Sequence, residues 1–137
     1  MAAKSQPDHT ERLRKAGLRP TRQRRALVQL LFGRGNRHLT AEAVHAEAMK
    51  AGVSVSLATV YNTMHQFTDA GLLRQVAVDG SRTYFDTNTG NHHHFYFEDD
   101  GTLADIDGEA ISVAGVPAAP AGAKIGRVDV IVRLTRK

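Results

Sequence analysis

Three consecutive histidines, His92, His93 and His94, are the residues of this chain best suited to chemistry. In an extended segment residues two apart share a face, so His92 and His94 point one way, about 6–7 Å apart along the strand, and His93 the other. The three cannot then act as one tridentate cluster: two can serve a single metal ion and the third something else. Carboxylates stand at useful separations. Asp86 precedes His92 across a short polar stretch, and Asp105 lies across a hairpin from the histidine segment. Imidazoles with carboxylates suit Fe(II), Mn(II) or Zn(II) and disfavour Cu(I), which wants sulfur. His38 can complete such a site if the fold brings it near. Haem iron also accepts neutral imidazole, and His93, facing away from the other two, is the expected axial ligand, with His92 and His94 beside it. The plainer alternative is a polar linker with no ligand; His45 and His65 read as helix-surface residues.

The elements that must position these residues change type midway along the chain. Residues 1–8 read as a loose tail and Glu11 to Ala16 as a short basic helix stopped by Gly17. Thr21 caps a second helix just after Pro20, with Leu27, Leu30 and Leu31 on one face and Gly33 at its end. Thr40 caps a third, which Gly52 stops. Ser56 caps a fourth, over 56–70, in which Leu57, Val60, Met64 and Phe67 line one side at helical spacing. Thr59, Asn62 and Gln66 occupy the other side, Tyr61 sits at the boundary, and Gly71 ends the helix. The period then becomes alternating: Leu72 to Val78 and Arg82 to Phe85 read as strands joined around Asp79-Gly80. Helices followed by a hairpin are the order of a winged helix-turn-helix, whose second helix, here 56–70, enters the major groove.

Residues 86–93 read as a polar linker, followed by a second hairpin, His94 to Phe97 and Thr102 to Ile106, turning at Asp100-Gly101. Prolines 117 and 120 keep 114–123 from forming a continuous helix, and Val128 to Leu134 supplies a β-branched final strand. The fold class is therefore α+β: a winged-helix DNA-binding domain over 1–86, and over 87–137 a small α/β or all-β module for dimerisation and sensing. So small a sheet is weakly stable alone, which points to a homodimer.

Charge and composition agree with this division. Residues 1–37 carry ten Lys/Arg against Asp8 and Glu11, whereas 98–109 carry six acids and no base. A basic end that attracts a polyanion, followed by a segment that repels one, suits a reader of double-stranded DNA with a separate module. The chain has no cysteine, which excludes disulfides, iron–sulfur clusters and thiolate zinc sites. It has no run of about 18 apolar residues and no hydrophobic signal core, so a soluble, cytoplasmic protein without membrane contact is expected. A small metal-dependent hydrolase is the enzymatic rival, but no nucleophile or base sits in a motif with a supporting partner, and a non-enzyme is expected.

Three blocks, Arg14-Lys15-Ala16-Gly17-Leu18-Arg19-Pro20-Thr21, Arg37-His38-Leu39-Thr40-Ala41-Glu42, and Leu57-Ala58-Thr59-Val60-Tyr61 with Ala70-Gly71-Leu72, resemble the ferric uptake regulator family from about residue 12 to residue 106. The resemblance implies a dimeric, metal-responsive transcription regulator in which Tyr61 reads bases and Arg19 approaches the minor groove. It also implies a regulatory metal site made of His38, Asp86, His92, His94 and Asp105. Thr59, Asn62 and Gln66 complete the expected DNA-reading set. A cation is expected at position 23 as well; the residue there is Gln23, between Arg22 and Arg24. The chain departs from the family where a Cys-x-x-Cys zinc knuckle is common: here stands Phe97-Glu98-Asp99-Asp100, so no structural zinc is expected. With the histidine run and the ending Val128-Asp129-Val130-Ile131-Val132-Arg133-Leu134, this resembles the iron-response regulator branch. That branch implies haem as the readout of iron status, an A/T-rich inverted-repeat operator, and a haem-biosynthesis protein as a further partner. A regulator of the same fold sensing Zn(II) or Mn(II) is the alternative.

Overall fold

Three helices of the chain end by the same device, which follows directly from where glycine stands. The computed structural model describes residues 9–79 and 82–136; the expected tail over 1–8 and the middle of the turn at Asp79-Gly80 lie outside them. Helices α1 (His9–Lys15), α3 (Ala41–Lys50) and α4 (Leu57–Asp69) are followed by Gly17, Gly52 and Gly71, all at positive φ. In each case the next amide bonds back to the helix: Leu18 to the Leu13 carbonyl, Val53 to Ala48 and Leu72 to Phe67, at 2.8–2.9 Å. Glycine takes this left-handed conformation without steric cost, and the apolar residue after it packs back on the core. Helix α2 (Arg22–Phe32) ends differently, at Gly33 with φ −81°.

The helix starts match the sequence. Thr21, Thr40 and Ser56 are the N-caps of α2, α3 and α4, and their side-chain oxygens accept the amides of Arg24, Ala43 and Thr59. Helix α1 begins at His9, two residues before the expected start. Val60, Met64 and Phe67 of α4 are fully buried, whereas Leu57, expected on the same face, is 42% exposed in the first turn, and Thr63 is buried in its stead.

The chain divides into two compact units between Thr89 and Gly90. In the first, strands β1 (His38–Leu39), β2 (Arg74–Asp79) and β3 (Arg82–Asp86) form an antiparallel sheet in the order β1-β3-β2. Its core joins Leu13, Leu27, Leu31, Val44, Val60, Met64, Phe67 and Phe85. In the second, β4 (His92–Phe97) pairs antiparallel with β5 (Thr102–Asp107) and parallel with β6 (Ile131–Leu134), in the order β5-β4-β6. The fold is therefore a winged helix plus a C-terminal β-sheet module. Two expectations need correction. The polar linker is shorter than expected, because His92 and His93 already belong to β4. The last strand begins at Ile131, not Val128, because Arg127, Val128 and Asp129 stay exposed outside the sheet. The segment over 114–123 contains no helix, as its prolines require. No helix among the described residues is long and apolar enough to cross a membrane.

Arg37, just before β1, fastens the sheet to the helices. Its guanidinium donates to both carboxylate oxygens of Glu47 on α3 and to the Leu30 carbonyl, while its backbone pairs with Thr87. The Arg37 hydrogen bonds hold the Glu47 carboxyl below its ordinary value of 4.5. A depressed carboxyl stabilises the fold above its unfolded pKa and loses that contribution as pH falls through the folded one. Glu47→Gln is accordingly expected to cost about 1–2 kcal/mol at pH 7, the partial exposure of the pair being allowed for. In urea titrations the gap between variant and wild type should close as the pH drops below that of the folded Glu47.

Candidate functional site

In the first unit, β3 ends on Asp86, which is 0% exposed. As the middle strand, β3 gives Asp86 a Cα partner on each side, His38 on β1 and Arg74 on β2. Directly opposed residues share a sheet face. The His38 Nε2 lies 3.2 Å from Asp86 Oδ2, and the other carboxylate oxygen accepts the Asn88 amide at 2.9 Å. Arg74 is itself buried, a charge that the sequence reading missed because it falls in an alternating strand with no flanking motif.

In the second unit, alternation along β4 sends His92 and His94 to one face, with ring centroids 4.6 Å apart. His94 is in register with Asp105 on β5. The Asp105 Oδ1 lies 3.4 Å from His92 Nε2 and 3.6 Å from His94 Nε2. Metal–ligand bonds of about 2.0–2.2 Å place neighbouring donor atoms about 3.0–3.6 Å apart, so these separations suit a shared divalent ion. His92 Nδ1 lies 2.7 Å from the Gly90 carbonyl, which can only accept, so Nδ1 donates there and Nε2 is the ring nitrogen facing Asp105. Among the described residues, then, each unit holds part of the expected ligand set: His38 and Asp86 in one, His92, His94 and Asp105 in the other.

His93 behaves otherwise. It is 6% exposed, and its Nδ1 accepts the Val130 amide at 3.1 Å. A neutral imidazole with Nδ1 as acceptor carries its proton on Nε2, so neither nitrogen offers iron a lone pair in this arrangement. His93 thus stands in strand β4, whereas the expected axial role assumed a histidine in an open linker. The helix histidines are not plain surface residues either. His45 donates to the Val55 carbonyl at 3.1 Å, and His65 packs edge-on against Phe85.

On α4, Tyr61 is 44% exposed and Asn62 and Gln66 are exposed as expected of readers. Thr59 and Gln66 are already engaged. Thr59 Oγ1 accepts the Ser56 hydroxyl at 2.9 Å within the N-cap, which leaves its own O–H as a donor. Gln66 Oε1 accepts from Arg24, whose guanidinium also donates to the Arg19 carbonyl, at 3.1 and 2.9 Å. Arg24 was not in the expected set, yet it ties the segment before α2 to the exposed face of α4. At position 23 the amide of Gln23 leans on the Ser54 carbonyl and supplies no charge.

These features define a winged-helix protein with an appended, histidine-bearing β-sheet module. The model of the ferric uptake regulator family matches residues 15–132, and the chain belongs to that family. It is 36% identical over 94 residues to the peroxide-responsive repressor PerR of Staphylococcus epidermidis, a match covering 69% of this chain and 62% of that protein. It is 39% identical over 95 residues to the ferric uptake regulation protein of Pseudomonas aeruginosa, covering 69% of this chain and 71% of that one. The structure of the ferric uptake regulator from Pseudomonas aeruginosa with manganese superposes with a TM-score of 0.72 at 30% identity, over 95% of this chain and 98% of that chain.

Loss of a donor should weaken metal binding by at least the roughly 10–100-fold typical of supporting residues. His94→Ala and Asp105→Asn are expected to do so in a chelator competition with Zn(II), and His93→Ala to leave the affinity within about twofold of wild type.

Proposed function

We propose that this chain is a divalent-metal-responsive transcription regulator that binds duplex DNA as a homodimer. The observation that carries the reading is the His92–His94–Asp105 group, two buried imidazoles beside an exposed carboxylate, in a chain of this family. The full ligand set would be His38, Asp86, His92, His94 and Asp105. Only five residues separate Asp86 from His92, so the chain itself limits how far the two groups can part. Mixed imidazole and carboxylate donors suit Zn(II), Mn(II) or Fe(II). Bound there, the ion would act as a fixed positive charge that draws the carboxylates and imidazoles together.

Haem is the weaker reading, because His93 is buried and its Nδ1 is taken by Val130. The iron-response regulator branch rests on the sequence features alone, and a haem-biosynthesis partner is carried only by the haem reading. The proposed domain roles follow the sequence: DNA binding through the region up to Asp86, dimerisation and sensing through the remainder. Dimerisation is supported by the edge strands β5 and β6 and by the exposed Val113, Val116, Ile125 and Val128 of the second unit.

An A/T-rich inverted-repeat duplex against its scrambled counterpart tests the DNA reading. Tyr61→Ala should cost about 1–3 kcal/mol and narrow the difference between the two duplexes. Arg19→Ala should weaken both alike, with a shallower salt dependence, since a cation near phosphates releases counterions. Equal wild-type affinity for the two duplexes would end the proposal.

Association is expected to survive chelation, because no cysteine site is available to join the subunits through zinc. Sedimentation after exhaustive treatment with a chelator should still give a dimer; a clean shift to monomer would assign the joint to metal.

A further inference from the structure

The exposed reading side chain and the buried carboxylate of the first unit are connected by a short line of rings. Tyr61 and His65 lie one turn apart on α4, with ring centroids 4.5 Å apart at an interplanar angle of 60°. The half-buried His65 ring meets Phe85 edge-on, at 5.2 Å and 82°. Phe85 is 1% exposed and is bonded through its backbone to Asp86. It also has Cα partners on both sides, Leu39 on β1 and Gln75 on β2.

We propose that His65 is a positioning residue that passes the state of Asp86 to Tyr61 through Phe85. The proposal rests on the reading above, in which a metal ion engages Asp86 and Tyr61 reads DNA. Three physical points support it. First, Phe85 and Asp86 are chain neighbours on a strand paired on both sides, so a backbone shift at Asp86 is passed to Phe85. Second, Phe85 sits in a close-packed core, where neighbours accommodate a shift by moving with it rather than by filling a gap. Third, His65 is the α4 side chain whose ring touches both Phe85 and Tyr61. Edge-on and tilted contacts between rings are directional, so a displaced Phe85 edge changes the angle at which His65, and then Tyr61, can rest. Sequence alone concealed this role, because His65 lies on the polar flank of the helix and shows no ligand spacing.

The experiment follows Tyr61 directly. In the full chain with carbon-13-labelled tyrosine rings, the Tyr61 cross-peaks, assigned by Tyr61→Phe, should move when Zn(II) is added. They should stay in place in His65→Ala and move again in His65→Phe, which restores a flat ring of similar reach. Zn(II) affinity should be the same in all three. If Zn(II) raises operator affinity by about tenfold in wild type, a common size for coupling between sites, His65→Ala should lower that gain to about twofold and His65→Phe should recover it. Should His65→Ala melt near the assay temperature, His65→Leu, which keeps the bulk without the ring, takes its place with the same expectation. Movement of the Tyr61 peaks in either ringless variant, or no movement in wild type, would overturn the relay. Asp86→Asn separates this from a failure of the underlying reading. If it weakens Zn(II) binding while wild-type Tyr61 stays still, only the relay is wrong. If it leaves Zn(II) binding intact, the metal does not engage Asp86, and both fall.

Discussion

The first unit is organised around one buried carboxylate. An ionised carboxyl in a protein interior costs several kcal/mol unless it is paired and hydrogen-bonded. Asp86 can be tolerated because β3 is the central strand, which puts His38 and Arg74 opposite it and the Asn88 amide on its free oxygen. Alternation then turns Phe85, the preceding residue, to the other face and into the helical core. A one-residue slip of β3 would carry the charge into that core and put Phe85 outside it, so the register is strongly specified. The same residue pair thus sets the sheet and connects its polar face to the helices.

The second unit meets the opposite problem, a scarcity of apolar filling. Its buried apolar side chains are Tyr96 and Ile106, and much of the remaining interior consists of His92, His93 and His94. Imidazoles bury little apolar area for their bulk and require polar partners, which the Gly90 carbonyl, the Val130 amide and Asp105 supply. A three-stranded sheet so filled gains less from the hydrophobic effect than an aliphatic one of equal size. Anything that binds the folded imidazoles, or covers the exposed valines and Ile125, adds directly to its stability. Ligand binding and association are in that sense substitutes for a core, and a module built this way responds to both.

Much of this was legible because the relevant signals are local. A cap needs one side-chain oxygen three residues from an amide, so Thr21, Thr40 and Ser56 could be read from spacing alone, as could the glycine stops. Alternation in β4 and the position of Asp105 across the hairpin gave the group of His92, His94 and Asp105. The misreadings arose where tertiary contacts decide. Leu57 follows the helical period but occupies the exposed first turn of α4, where its face has no neighbour to bury it. The polar types of His92 and His93 suggested a linker, whereas pairing with Asp107 and Ile106 makes them strand. The engagement of Thr59 and Gln66, the burial of Arg74 and the ring contact of His65 all depend on partners distant in sequence or on side-chain direction. No periodicity encodes them.

The absence of cysteines leaves the turn between β4 and β5 to be secured by other means, and Arg136 does this. Its amide donates to Asp99 at 3.0 Å, its guanidinium pairs with Asp100, and the same group lies over the Phe97 ring at 4.4 Å from the centroid. The Glu98 amide adds a bond to the Leu134 carbonyl at 2.9 Å. Hydrogen bonds from Thr102 and Arg136 hold the Asp100 carboxyl down to about 2, so the turn keeps its charge throughout the physiological range. These contacts join the end of β6 to the adjacent turn between β4 and β5. They differ from a knuckle in kind. A thiolate zinc site holds through coordination bonds that persist in salt, whereas an exposed ion pair is screened over about 8–10 Å at ordinary ionic strength. Phe97 and Asp100, which stand at the positions of the absent cysteines, both meet Arg136, so the final strand is attached there by a ring contact and an ion pair in place of a metal.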